Sequence, residues 1–183
     1  MCKTLLSIFL ILTIPSFGQN EKLFDILPIK EGKVIYTDVV IVDSTDKVKL
    51  YSKVKKWFIE QYKSAKDVIQ LDDKENGEVI GKGFFETNWQ NSFISELKVN
   101  VWHTIKIYIK DNRFKYEITN FTLKYYVGGT RYSTGSTVEE AIEDFGKDRV
   151  RNTKNYFVTV DSEIVSIISS LINFMKAPNK EDW

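Results

Sequence analysis

Residues 101–126, VWHTIKIYIKDNRFKYEITNFTLKYY, alternate apolar and polar side chains on both sides of Asp111-Asn112. Such alternation selects strand over helix, and it also fixes how two strands pair. A two-residue turn at Asp111-Asn112 sets Ile109 against Phe114, Ile107 against Tyr116 and Ile105 against Ile118. A three-residue turn would set Ile109 against Lys115 and mix the faces. The first register also places Lys106 opposite Glu117 and Thr104 opposite Thr119. Favourable cross-strand pairs of this kind contribute about 0.2–1 kcal/mol each. Beyond Asn120 the apolar residues become Phe121, Leu123 and Tyr125, a change of parity that predicts a bulge near Thr119-Asn120.

The first of these strands carries His103, the only histidine in the chain. Parity puts it on the isoleucine face, opposite Asn120, where the apolar run ends. The expectation is a structural histidine at the sheet margin with an amide within reach. A general base would need a nucleophile and an orienting carboxylate, and no nucleophile motif accompanies it.

Working outward, DVIQLDDKENGEVIGKGFF (67–85) reads as two strands around Asn76-Gly77, a type I′ hairpin signal because both central residues need positive φ. Gly81 and Gly83 leave one strand face bare, so a helix packs closely there or the strand bends. That helix is supplied by KVKLYSKVKKWFIEQYKSA, after the capping residues Ser44, Thr45 and Asp46. Leu50, Tyr51, Val54, Trp57, Phe58 and Tyr62 form its apolar stripe, expected to bury Trp57 against the sheet. Lys49, Lys53, Lys56, Glu60 and Lys63 make the solvated arc. Before it, KVIYTDVVIVD is apolar on both faces at Val39–Val42, which predicts a central strand. Residues 19–32 form a lead-in with a turn at Glu31-Gly32. Trp89 and Phe93 either continue the strand or line a surface loop. Residues 127–136 read as a loop. Thr137 and Glu140 are spaced as a capping box, and a last helix begins at Asp161 or Ser162 and stops before Pro178.

The first eighteen residues, MCKTLLSIFLILTIPSFG, have the charged start, short apolar run and small residues of a signal peptide cut before Gln19. The run is too short to span a membrane well, and no stable span is expected after cleavage. Cleavage removes Cys2, the only cysteine, so the mature chain has neither disulfide nor thiol nucleophile. It also removes Lys3, leaving 25 of the 26 basic residues against 25 acidic ones. Balanced charge gives no net field for nucleic acid.

A lone histidine without cysteine cannot build a usual zinc site. The DDKENG stretch (72–77) begins like a calcium loop, but Lys74 and Gly83 stand where ligands are required. No cofactor is expected. Asp67, Asp72 and Glu86 are acids that could meet as a hydrolytic pair, although nothing in their spacing singles one out.

LPIKEGKVIYTDVVIVD, LYSKVKKWFIEQY and SAKDVIQLDDKENGEVIGKGFF resemble the secreted bacterial family called domain of unknown function 4468, over about residues 27–126. The most specific marks are Leu50-Tyr51 with Trp57-Phe58, and Asp67-Val68-Ile69 through Gly81-Lys82-Gly83. IKIYIKDNRFKYEITNF is similar to that family's later hairpin. The resemblance implies a TATA-binding-protein-like fold: a curved antiparallel sheet with helices on one face. It implies no activity and carries no catalytic residues. The α+β order β-α-β-β-β-β-α points the same way, with 33–126 as the domain and 127–183 completing it. The function expected is a secreted, periplasmic, non-enzymatic binding or scaffolding protein whose partner is an envelope protein or ligand. The alternative is a cofactor-free hydrolase of envelope polymers working through a carboxylate pair.

Overall fold

The computed structural model describes residues 26–62, 68–90, 96–127, 131–132, 135–145 and 150–178. The expected signal peptide, Lys63, Asp67 and Phe93 lie outside them. Eight strands and three helices are present among the described residues: β1 Ile29–Lys30, β2 Lys33–Val34, β3 Tyr36–Ile41, α1 Lys47–Tyr62, β4 Ile69–Asp73, β5 Glu78–Gln90, β6 Glu96–Lys110, β7 Arg113–Val127, β8 Arg131–Tyr132, α2 Val138–Phe145 and α3 Val150–Lys176. The main sheet is antiparallel in the order β3-β7-β6-β5-β4, with β8 paired to the end of β7. It is an α+β fold with the helices against one face.

The β6–β7 hairpin has the register its alternation demands. Ile109 pairs with Phe114, Ile107 with Tyr116 and Ile105 with Ile118. On the other face Thr104 pairs with Thr119, and Lys106 Nζ lies 2.8 Å from Glu117 Oε1. The bulge is present too: the register slips between Trp102 and Thr104, and Asn120 takes φ 57°. Asparagine tolerates the left-handed region better than most residues, which makes it an economical place for the extra residue.

The helices bury the isoleucine face. Leu50, Tyr51, Val54, Trp57 and Phe58 of α1 are buried, as their spacing requires. A Cβ on Gly81 would strike the Phe58 ring, and one on Gly83 the Tyr62 ring. Those two glycines are therefore bare because α1 lies on them. The α1 N-terminus is closed by Asp46, whose Oδ1 accepts the Lys49 N–H at 2.8 Å, and by Asp111 of the hairpin turn, which accepts the Lys47 N–H at 2.7 Å.

Several expectations need correction. β3 is an edge strand, not a central one. Its Val39 and Ile41 are 51% and 53% exposed, because the sheet face opposite the helices is open. The Asp38 carboxylate accepts the Val39 N–H at 2.7 Å, and charged residues of this kind blunt an edge against further pairing. The β4–β5 turn spans four residues, since Asp73 pairs with Glu78, and only Gly77 has positive φ there. Asn76 instead bonds the Asp73 carboxylate through both its N–H and its amide. α3 starts at Val150, eleven residues before Asp161. Thr153, Tyr156, Phe157 and Val160 continue its buried stripe into Ile164, Ile167, Leu171 and Met175. Trp57 is packed towards α3, its Nε1 donating to Ser170 Oγ at 3.1 Å. Lys53 does more than meet solvent: its Nζ bonds the carbonyls of Met175 and Ala177 and closes the α3 C-terminus.

The lead-in ends in the β1–β2 hairpin, turned at Glu31-Gly32 as expected. Trp89 continues β5 and stacks on Tyr156, with ring centroids 4.8 Å apart. The capping box is closed in both directions between Thr137 and Glu140. By length and composition Thr153–Lys176 could also cross a membrane, but here its apolar stripe is part of the core.

Candidate functional site: the open face of the sheet

His103 is not at a margin. It is fully buried in the middle of the sheet, with Phe85, Phe121 and Tyr62 around its ring. Asn120 is not its partner. The Tyr62 hydroxyl lies 2.7 Å from Nε2, and Nδ1 lies 3.3 Å from the Val101 carbonyl. A carbonyl can only accept, so Nδ1 carries the proton and Nε2 accepts from Tyr62. Burial holds the imidazole pKa down at about 4, against a smaller upward pull from the Val101 carbonyl. Burial likewise raises that of the Tyr62 hydroxyl. The pair is thus neutral near pH 7. Gly83 is the cross-strand partner of His103, which is why a ring lying over that glycine reaches the imidazole. The bare glycine was the one signal in the sequence for this contact.

Nor do Asp72 and Glu86 converge. Asp72 is held by Lys55 at 2.5 Å and by the Tyr51 hydroxyl, and these bonds keep its carboxyl below the usual range. Glu86 pairs with Lys98 at 2.9 Å. Asp72 lies opposite Val79, seven residues from Glu86 along β5. At strand rise that is roughly 23 Å, too far for a shared bond. Among the described residues no group of three or more His, Cys, Asp or Glu is placed to hold a metal.

What remains is the face that carries no helix among the described residues. There Trp102 pairs directly with Phe84 on β5 and with Thr122 on β7. The Trp102 and Phe84 rings are 4.8 Å apart at 36°, and Phe84 is 45% exposed. Lys124 Nζ stands 4.8 Å from the Trp102 ring centroid and Lys82 Nζ 6.0 Å from it, on opposite strands. Among the described residues neither lysine has a carboxylate within ion-pair distance, whereas Lys98 and Lys106 on the same face do. The indole Nε1 is buried and has no hydrogen-bond partner among them either. Sequence reading missed this cluster, although Trp102 stands out as an aromatic on the polar face of the hairpin. Beside it, where β3 begins and Asn120 bulges, a cleft of about 440 Å³ opens between Lys33, Thr122, Thr137 and Glu139.

The segment that builds this sheet and α1 has known relatives. Residues 36–124 match the family model of a domain of unknown function (DUF4468) with TBP-like fold. The fold is TBP-like across most of the chain. A DUF4468 family protein from Bacteroides ovatus superposes with a TM-score of 0.58 at 17% identity, over 90% of this chain and 99% of its own. A TBP-like protein from Parabacteroides distasonis gives 0.56 at 18%, over 81% and 98%. At such identities the likeness concerns the fold alone. No curated protein matches the chain.

Proposed function

We propose that this is a secreted, periplasmic member of the DUF4468 family that binds or scaffolds an envelope partner through the open face of its sheet, without catalysing a reaction. The observation that carries this reading is the Phe84–Trp102 pair, held in the solvent-facing layer with two lysines that have no acid partner among the described residues. An exposed ring beside a half-buried one, backed by a rigid sheet, is a favourable binding anchor, since little side-chain entropy is lost on contact. The neutral, enclosed His103–Tyr62 pair and the separation of Asp72 from Glu86 support a role without acid–base chemistry. The reading takes no cofactor and no nucleic acid.

Two measurements test it. N-terminal mass analysis of protein made in its own cells should give a chain beginning at Gln19, and retention of Met1 to Gly18 would remove the periplasmic assignment. Envelope extract passed over the immobilised mature chain should leave a bound component that Phe84→Ala/Trp102→Ala fails to hold. Equal retention by a folded double variant would move the binding surface elsewhere.

A further inference from the structure

The arrangement around Trp102 has a direction. Lys82 is opposite Thr104 on β5, and Lys124 is opposite Asn100 on β7. The two lysines therefore flank Trp102 along a diagonal, two strand spacings across and four residues along, roughly 16 Å between their Cα positions. Their ammonium groups both lean back to the indole. A cation resting on a half-buried aromatic face gains about 0.5–2 kcal/mol, so an anion can draw either lysine off the ring. On β6's two neighbours, Glu86 is taken by Lys98 and Glu117 by Lys106. Glu78 stands four residues from Lys82, about 13 Å along the strand.

We infer that this diagonal is a binding track for a linear glycan with carboxylated rings, a uronate-type chain; the inference rests on the binding function proposed above. One sugar ring would lie against Trp102 and Phe84, with its neighbours' carboxylates placed on Lys82 and Lys124. The hydroxyls of Thr104 and Thr122, beside Trp102 on the same face, are of the kind that bond sugar hydroxyls. A single-stranded nucleic acid also combines stacking rings with anions. It needs a longer basic groove, and on this face Lys98 and Lys106 are already neutralised.

The mature chain is titrated with short oligogalacturonate, its methyl ester, hyaluronan oligosaccharide and oligothymidylate, read by tryptophan fluorescence and calorimetry. At least one of the two carboxylated glycans should bind saturably, with the galacturonate methyl ester at least ten-fold weaker than the acid if galacturonate is the one bound. Trp102→Ala should weaken binding at least ten-fold. Lys82→Ala/Lys124→Ala should weaken it similarly and abolish the preference for acid over ester. All three substitutions are on the solvent-facing layer, and unchanged circular dichroism and melting would certify folding. Binding of neither glycan, binding indifferent to a folded Trp102→Ala, or tighter binding of oligothymidylate would each overturn the inference. If glycans fail while Phe84→Ala/Trp102→Ala still abolishes retention of an envelope protein, the glycan track is wrong and the binding function stands. If the face variants change neither, both are wrong.

Discussion

A histidine that is harder to protonate when folded takes its proton first in the unfolded chain. With a folded pKa near 4 against 6.5 unfolded, His103 leaves stability intact above about pH 6.5. Stability then falls as the pH drops to about 4, below which both states are charged. The loss over that window is about 3 kcal/mol. His103→Gln cannot titrate there, so its denaturation midpoint should fall less between pH 7 and 4.5 than that of the native chain. Parallel curves for the two proteins would show that the imidazole is solvated. At pH 7 the substitution should cost about 1–3 kcal/mol, since glutamine can still accept from Tyr62 but loses the ring contacts. The same crowding makes Gly81→Ala informative, because its Cβ meets the buried Phe58 ring. Overpacking of that kind costs about 1–3 kcal/mol, and an unchanged urea midpoint would mean that α1 can lift off the sheet. His103 also marks where sequence reasoning ends. Parity found its face and the neighbouring bulge, but its real partner comes from a helix 41 positions upstream, a distance over which no local pattern operates.

At the scale of elements, the hairpin was legible because two independent face patterns agreed on one register, and a slip of one residue would have exposed every isoleucine. β3 was not legible in this way. Apolar residues on both faces fit a central strand as well as an edge strand bordering an open face, and only the pairing partner decides. The start of α3 was hidden for a different reason: VRNTKNYFVTV is rich in β-branched and aromatic residues, and helix formation there is dictated by Tyr156 packing on Trp89. Tertiary contact outweighs propensity in such segments. Trp57 is where α1 and α3 are joined, so Trp57→Ala should cost about 3–5 kcal/mol in chemical denaturation. A loss below 1 kcal/mol would mean that the two helices are held by other contacts. Asp111→Ala should cost about 0.5–2 kcal/mol through the α1 N-terminus, although the residue lies 64 positions away in a hairpin turn.

At the scale of the molecule, one buried cluster runs from Leu27 through the sheet and α1 to Met175. The family match stops at residue 124, yet residues after it are built into the same core. α2 is tied to the β1–β2 hairpin by Glu139, which accepts the Val34 N–H at 2.8 Å. Asp161 of α3 accepts the Tyr36 hydroxyl at 2.7 Å, and that bond sits at the start of the edge strand β3. Removing α2 and α3 would strand Tyr36, expose the α3 side of Trp57 and leave Trp89 without the ring it stacks on. Each of those losses is worth one to several kcal/mol, and together they rival the 5–15 kcal/mol that holds a typical domain folded. A chain ended at Val127 should therefore show no cooperative unfolding transition, even though it contains the whole matched segment. The chain from Gln19 to Trp183 should unfold in a single step, with fluorescence and circular dichroism tracing the same midpoint. A cooperative transition in the shortened chain would make residues 128–183 an appendage, and would place the true domain boundary where the family match ends.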